Sequence, residues 1–200
     1  EERGEEEGRE EMREVEEKVG RKVEEAGAVL ASKLAMVEIA GGMGYRQPNA
    51  AFTGPGRNPW DPNTWTGGSS SGSGAAVAAG LVPFAIGSET WGSILSPANN
   101  CGVAGLCPTY GRVSRFGAMA LSWTLDKLGP LCLTADDCGL VLEAIAGPDP
   151  NDQTAADTEY TYNDGDSKSS FKLAMLKGAL DGCDDAIRDN FEKTLKVLEG

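Results

Sequence analysis

Short apolar runs, separated by glycine, proline and polar residues, dominate the chain from residue 28 onward. The runs in AVLASKLAMV, LVPFAIGSE and FKLAMLKG have the length and the boundaries of buried strands. The first run continues into a helical turn that ends at Gly41 and Gly42. The small residues of AAVAAG predict a helix that packs closely against neighbouring backbone.

Three further segments have helical features. Thr134, with Asp137 three residues later, forms a capping-box pattern, and Gly147 before Pro148 ends that helix. The segment WGSILSPANNCG predicts a tight turn that leads into a short helix. The segment DDAIRDNFEKTLKVLEG predicts an amphipathic helix. Its apolar face consists of Ile187, Phe191, Leu195 and Leu198.

The composition is that of a soluble globular protein, with 40% apolar and 24% charged residues. The net charge of −13 argues against direct nucleic-acid binding, because phosphate contacts need clustered Lys and Arg. The longest nearly apolar run, Ala75 to Gly87, is interrupted by Gly80 and Pro83, whereas a membrane span needs about 20 apolar residues. The acidic opening EERGEEEGRE lacks the features of a signal peptide. We therefore expect no membrane association and a cytoplasmic location.

Cysteine and histidine usage gives no indication of a metal site. The chain has five cysteines, no CxxC pair and no histidine, so a structural zinc site would need four well-spaced thiolates. We expect buried, reduced thiols and no metal. The cysteines are Cys101, Cys107, Cys132, Cys138 and Cys183.

The tract TGGSSSGSGAAVAAG, Thr66 to Gly80, has the composition of a flexible linker. It does not match the phosphate-binding motif G-x-x-x-x-G-K-[ST] or the dinucleotide fingerprint G-x-G-x-x-[GA]. A second Gly/Ser cluster, GSETWGS, follows after one predicted helix and one predicted strand. Two serine-bearing turns connected in this way can meet in space. This favours a functional site, rather than a flexible linker, as the interpretation of the tract.

Serine needs a group that accepts its proton before it becomes a good nucleophile. The chain has no histidine, so a Ser-His-Asp triad is excluded. A serine nucleophile with a lysine as its base is the remaining alternative, since burial can lower the pKa of a lysine toward neutrality.

The stretch GGSSSGSGAAVAAGLVPFAIGSETWGSILSPANNCGVAGLCPTYGRVSR resembles the amidase signature family, whose members hydrolyse or transfer the nitrogen of carboxylic amides. The similarity continues through LDKLGPL and IAGPDPND, and extends back through GRNPWDP and AGAVLASKLAMVEIAGG. It covers about residues 25–152 well and 171–200 more loosely. The resemblance implies an α/β fold, with a mixed β-sheet surrounded by helices, and a small-molecule amide substrate. It implies no cofactor.

The resemblance also implies site residues, because the family uses a Ser–Ser–Lys triad. Ser69 matches the serine that relays the proton and that follows a cis peptide bond. Ser93 matches the nucleophile that forms an acyl-enzyme. The backbone N–H groups of Thr90, Trp91 and Gly92, together with that of Ser93 itself, match the oxyanion hole, in which each donor contributes roughly 3 kcal/mol of transition-state stabilisation.

Other polar residues near these serines are expected to be structural. We expect Ser70, Ser71 and Ser73 to serve as turn and capping residues. We expect Glu89 to anchor its loop through hydrogen bonds. Tyr110 and Arg112 are also expected to be structural.

The family's lysine has no match in this chain. In the family it lies upstream of the first serine in a Lys-Asp pair, and no such pair precedes Ser69. Lys33 matches a different, non-catalytic lysine of the family. Lys127 lies closer to the family's motifs. We regard each as a weak substitute for the missing base. Because loss of a triad member can cost up to about 10⁶-fold in rate, we expect weak or absent amidase activity.

Two further differences concern the substrate. Trp91 stands at a position that is often glycine, and Leu95 stands where glutamine-using relatives often have arginine. These differences favour a hydrolase over the A subunit of a tRNA-dependent amidotransferase. A catalytically silent scaffold or partner-binding fragment remains a further alternative.

The chain is expected to divide into four parts. Residues 1–26 form a charged helix unlike the family, with 12 Glu against six Lys or Arg in the first 25 residues. Residues 27–152 form the amidase signature core, residues 153–170 an acidic linker, and residues 171–200 the start of a further α/β unit. We therefore expect the chain to hold a fragment of the amidase-signature fold. The charged helix could support a homo-oligomer or bind a partner chain.

Overall fold

The computed structural model describes residues 19–41, 48–50, 54–163 and 172–199. They belong to two compact units, Glu1–Asp164 and Gly165–Gly200. The first unit contains helix α1 (described over residues 19–25), a 3₁₀ turn at Glu38–Ala40, and helices α2 (Ser71–Ala78), α3 (Leu95–Cys101) and α4 (Ala135–Ile145). Its strands are β1 (Asn49–Ala50), β2 (Gly54–Pro55), β3 (Phe84–Glu89), β4 (Ala104–Gly105) and β5 (Lys127–Cys132). The second unit contains helix α5 (Asp185–Leu198).

The central sheet has three strands in the order β3-β5-β4, and neighbouring strands are antiparallel. The long pairing of β3 with β5 places Phe84 opposite Cys132 at one end. At the other end it places Glu89 opposite Lys127. A separate two-stranded ladder joins β1 to β2. The register therefore brings the end of β3 next to the start of β5.

Helices cover both faces of this sheet, since two apolar clusters lie on its opposite sides. The cluster with α2 and α3 consists of Val77, Ala85, Ile94, Ala98 and Leu131. The cluster with α4 consists of Val113, Leu142 and Ile145, with Val19, Val23, Ile86 and Leu128 packed against it. This α/β arrangement confirms the expected fold class. None of the helices in the described part of the chain has the length and apolar character needed to cross a bilayer.

Helix α2 confirms the expectation of close backbone packing. A Cβ at Gly72 would lie 2.5 Å from the Ala35 backbone nitrogen, and a Cβ at Gly74 would lie 2.9 Å from the Pro97 Cβ. Real Cβ atoms do not approach other atoms this closely, so glycine is required for this packing. The Gly-Ser tract is thus an ordered turn and helix rather than a linker.

The strand predicted in residues 28–37 does not form. This segment instead runs beside the Gly-Ser tract, where Val37 N–H donates to the Ser69 carbonyl (2.9 Å) and Gly72 N–H donates to the Ala35 carbonyl (2.7 Å). Val37 and Ala35 thus pair backbone groups with a turn and a helix start rather than with a neighbouring strand. The predicted helical turn corresponds to Glu38–Ala40.

The prediction for FKLAMLKG is also wrong over its described part. Residues 172–176 have no regular structure and a turn begins at residue 177. The described part of the second unit contains no strand to pair with, and a short apolar run does not become a strand alone. Phe171 lies outside the described residues.

The predicted helix ends are confirmed at α4. The Thr134 hydroxyl accepts a hydrogen bond from Asp137 N–H at 3.1 Å, which is the N-cap contact that the capping pattern predicts. Gly147, at φ +107°, follows the last turn. The amphipathic helix predicted near the C-terminus forms as α5, although it contains no buried residue.

Candidate active site

Ser69 and Ser93 lie in two turns that the fold brings together. Ser69 precedes α2 and follows a cis peptide bond at Gly68–Ser69, as the resemblance implies. Ser93 lies in the turn between β3 and α3. Both serines are buried, with 3% and 5% of their surface exposed. The Ser70 N–H donates to the Ser93 carbonyl at 3.1 Å, which fixes one turn against the other.

The two serines line one pocket of about 210 Å³. Thr90 and Trp91 also line it, whereas Gly92 does not. The remaining wall is apolar or backbone and consists of Val37, Ala40, Gly41, Trp65, Gly68 and Leu121. The Trp91 ring is 79% exposed, so it lies at the mouth of this serine pocket rather than in its interior.

Glu89 organises the loop that carries Ser93. Its buried carboxylate accepts hydrogen bonds from the N–H groups of Gly92 and Ser93 through Oε1. Through Oε2 it accepts from Ile94 at 2.7 Å and from Leu95 at 3.1 Å. Four consecutive backbone donors at the start of α3 are thereby satisfied by one anion. The expectation that Glu89 anchors its loop is confirmed.

These contacts bear on the oxyanion hole that the resemblance implies. Gly92 and Ser93 both direct their N–H groups to Glu89. An oxyanion in the serine pocket would therefore share these donors with Glu89 or use those of Thr90 and Trp91. Sequence reasoning did not anticipate this competition, because a backbone N–H carries no sequence signal.

The expectation of a capping role is wrong for Ser70, whose side chain makes no cap hydrogen bond at the start of α2, and Ser70 and Ser73 instead have a role that sequence reasoning missed. Ser70 Oγ donates to the Ser88 carbonyl at 3.2 Å and accepts from the Ser88 N–H at 3.1 Å. Ser73 Oγ donates to the Ile86 carbonyl at 2.9 Å. The two hydroxyls thus bond to backbone groups of β3 as a neighbouring strand would. A Cβ at Gly87 would lie 2.7 Å from Ser70 Oγ, so glycine permits this approach.

No lysine lines the serine pocket among the described residues. Lys33 lies in the exposed extended segment, and Lys127 Nζ lies 3.5 Å from the Thr90 carbonyl, in the wall of a neighbouring cavity. The Ser69 hydroxyl is buried and has no hydrogen-bond partner among the described residues. A group that accepts a proton from Ser69 is therefore not in place in the described part of the chain.

The five cysteines are all free thiols. Cys101, Cys132 and Cys138 are buried, as expected, and burial raises the pKa of Cys101 to about 11. Cys107 is exposed and Cys183 is intermediate, so the expectation of burial is wrong for these two.

Comparison with known proteins identifies the family. The model of the family described as Amidase matches residues 9–200, and the chain therefore belongs to this family. The resemblance inferred from the Gly-Ser tract is confirmed. The match begins inside the charged segment 1–26, and the domain boundary at residue 26 stays a prediction.

Among its relatives, the chain is 48% identical over 186 residues to the A subunit of glutamyl-tRNA(Gln) amidotransferase from Geobacillus sp., covering 90% of the chain and 37% of the relative. It is 55% identical over 139 residues to the same subunit of Moorella thermoacetica, covering 70% of the chain and 28% of the relative. The matched part of the chain thus spans 37% and 28% of the length of these two curated relatives.

Solved structures of the family share the fold. The crystal structure of the A subunit of glutamyl-tRNA(Gln) amidotransferase from Thermotoga maritima matches with a TM-score of 0.65 and 44% identity, over 71% of this chain and 31% of that one. The peptide amidase from Stenotrophomonas maltophilia matches with a TM-score of 0.67 and 41% identity, over 72% of this chain and 30% of that one.

Proposed function

We propose that this protein cleaves the C–N bond of carboxylic amides, with Ser93 as the nucleophile and Ser69 as its proton relay. The observation that carries the proposal is the shared pocket of two buried serines in a chain of the amidase family. In the reaction, Ser93 Oγ attacks the amide carbon and the C–N bond breaks. The leaving nitrogen takes the proton that Ser69 passes on, and water then hydrolyses the acyl-enzyme.

The backbone around Ser93 supports the charge that this step creates. A tetrahedral intermediate places negative charge on the former carbonyl oxygen, which backbone N–H groups can stabilise. Thr90 and Trp91 line the pocket and are the donors that we assign to it, with Gly92 and Ser93 contributing to the extent that Glu89 releases them.

We further propose that the 200-residue chain by itself turns amides over slowly. The support is the serine pocket, whose described wall contains no lysine, and the Ser69 hydroxyl, which has no hydrogen-bond partner in the described part of the chain. Without a base, Ser93 stays protonated, and removal of a triad member can lower a rate by up to about 10⁶-fold.

Turnover of a panel of simple amides, followed by release of ammonia, tests the proposal. We expect a slow rate that Ser93→Ala abolishes and Ser69→Ala lowers, while Ser32→Ala, at an exposed site, leaves it unchanged. Turnover that survives Ser93→Ala would contradict the nucleophile assignment. Fast turnover that Ser93→Ala abolishes would show that a base acts on Ser69 after all.

A second candidate function is that of one chain of an amidotransferase. Sequence relatives that cover 90% of the chain carry the name of the A subunit of glutamyl-tRNA(Gln) amidotransferase, which favours glutamine as the ammonia donor and a partner chain. Leu95, at the start of α3, stands against it, as the resemblance implies. Ammonia release from glutamine in preference both to neutral amides and to other carboxylate-bearing amides would favour this candidate over a general amidase. A folded chain with no turnover of either would favour the silent alternative.

A further inference from the structure

A second cavity, of about 310 Å³, adjoins the serine pocket. Ala40, Thr90 and Leu121 line both, so the two spaces are neighbours across these residues. The second cavity has an apolar side that includes Phe116, Met119 and Trp123. Its charged side consists of Arg115, Asp126, Lys127 and Asp152.

The two terminal nitrogens of the Arg115 guanidinium are hydrogen-bonded by the protein, whereas its buried Nε makes no hydrogen bond within the described residues. Its guanidinium donates to the Trp123 carbonyl at 2.7 Å, and to the hydroxyls of Tyr110 and Thr154 at 2.8 Å each. Its Nε lies 3.9 Å from the Asp152 carboxylate. The guanidinium also lies over the Tyr110 ring, 4.6 Å from its centre. Arg115 therefore acts as a structural cross-link of the cavity wall.

Asp126 is likewise engaged. Its Oδ1 accepts from the Thr90 hydroxyl at 2.6 Å. Its Oδ2 accepts from the N–H groups of Leu121 and Ser122 at 2.8 and 2.9 Å. This carboxylate fixes the segment before β5 against the nucleophile loop.

Asp152 is bonded in the same way. Its Oδ2 accepts from the Arg115 N–H at 2.7 Å, and its Oδ1 accepts from the N–H and the hydroxyl of Thr154 at 2.9 and 2.6 Å. Both carboxylates of the cavity are thus held by the protein itself.

Lys127 differs from the other charged residues that line this cavity, whose terminal atoms are hydrogen-bonded to the protein. Its ammonium group has three donors, and its hydrogen-bond contact within the described residues is one long approach, 3.5 Å, to the Thr90 carbonyl. Glu89, opposite Lys127 in the β-ladder, directs its carboxylate oxygens to four backbone N–H groups instead. Lys127 therefore lines the cavity with donors that the protein leaves available.

We propose that Lys127 binds a carboxylate on the acyl part of the amide substrate, which makes short dicarboxylic acid monoamides the preferred substrate class. This inference rests on the proposed function of the serine pocket. The acyl chain runs from the amide carbon at Ser93 past Thr90 into the second cavity, where its methylene groups contact the apolar side. A water molecule takes about 30 Å³ in the liquid, so about 310 Å³ has room for a short acyl chain and its carboxylate.

Binding of dicarboxylates, the acid products of such substrates, tests the inference without any turnover. Isothermal titration with malonate, succinate, glutarate and adipate is compared with butyrate, a monoacid of similar size. We expect one dicarboxylate to bind best and butyrate to bind at least about tenfold more weakly, because a hydrogen-bonded ion pair is lost. Lys127→Met should weaken dicarboxylate binding by about the same factor, Lys127→Arg should retain most of it, and Lys172→Met, at an exposed site in the second unit, should have no effect.

The outcomes separate this inference from the proposed function. Dicarboxylate binding that Lys127→Met leaves unchanged overturns the inference, even if Ser93→Ala abolishes amide turnover. Dicarboxylate binding that depends on Lys127 supports it, even if no amide is turned over. If Lys127→Met does not fold, NMR titration of the unaltered chain decides: shifts that centre on residues 116–128 support the inference, and shifts confined to other regions overturn it.

Discussion

At the scale of single residues, Glu89 is central to the account. It lies at the end of β3 and holds four successive backbone N–H groups of the segment that carries Ser93. A buried carboxylate is costly unless it is hydrogen-bonded, and here both oxygens are bonded. The position of Ser93 therefore depends on the charge and shape of this one side chain.

Glu89→Gln should destabilise the protein by about 3 kcal/mol. The amide nitrogen replaces one acceptor with a donor, which leaves two backbone N–H groups unpaired, one of them on a buried residue, at about 1–3 kcal/mol each. Urea denaturation measures the loss, and Glu192→Gln on exposed α5 is the matched control, with less than about 0.5 kcal/mol expected. Equal stability of Glu89→Gln and the unaltered chain would contradict the anchoring role.

Asp152 predicts a dependence of stability on pH. Burial acts to raise its pKa, but hydrogen bonds from Thr154 and Arg115 and the Arg115 charge together lower it below the ordinary value. A folded-state pKa below the unfolded one gives stability that is present above about pH 4 and is lost as the pH falls further.

Asp152→Asn should therefore lower the stability at about pH 7 and lower it progressively less as the pH falls from about 4 toward 2, because the carboxyl group of the folded chain then takes up its proton. Melting temperatures across this range measure the effect, and Asp157→Asn, at an exposed position, is the control. A loss of stability that stays the same across this range would show that the charge of Asp152 contributes nothing.

Residue roles differ in how far the sequence reveals them. Ser69 and Ser93 stand in long motifs, so the sequence predicts without a structure that they share a site, and the structure places them in one pocket. Ser70 and Ser73 bond to the backbone of β3, a strand that follows the next helix along the chain. The residues adjacent to these serines in the sequence do not predict this contact. Such contacts follow from tertiary packing, which local patterns do not encode.

At the scale of elements, the short helix α2 determines how the serine turn sits. Its glycines let it lie directly on the extended segment before the 3₁₀ turn, and Gly72 N–H bonds to the Ala35 carbonyl. The sequence predicted helices and strands correctly where caps or clear boundaries occur, as at α4 and β3. The strand prediction was wrong at residues 28–37, because an apolar run that packs on a turn has the same composition as a strand.

Gly72→Ala should destabilise the first unit by about 2 kcal/mol or more, since the new methyl group would overlap the Ala35 backbone. Gly20→Ala is the matched control, because Gly20 is helical and, apart from its own helix backbone, no atom of the described residues lies within 4 Å of the position that its new methyl group would take. We expect the control to gain up to about 1 kcal/mol from helix propensity. Denaturation curves of both variants test this, and a tolerated Gly72→Ala would contradict the close packing.

At the scale of the whole molecule, the fold and the family agree. The described first unit is an α/β arrangement, and amidase-family structures match 71–72% of the chain. The chain nevertheless spans 37% of the Geobacillus sp. relative's length, so its substrate and partners are matters for experiment. The sequence predicted the family and the fold class, because both follow from long motifs, whereas the strand order follows from long-range pairing that no local pattern contains.

Labelling with a fluorophosphonate, followed by peptide mass spectrometry, tests the central claim most directly, because the reagent reacts with activated serines. The account predicts a slowly formed adduct on Ser93 that Ser93→Ala removes and Ser32→Ala does not affect. An adduct on another serine, or no adduct on Ser93 in a folded sample, would contradict it.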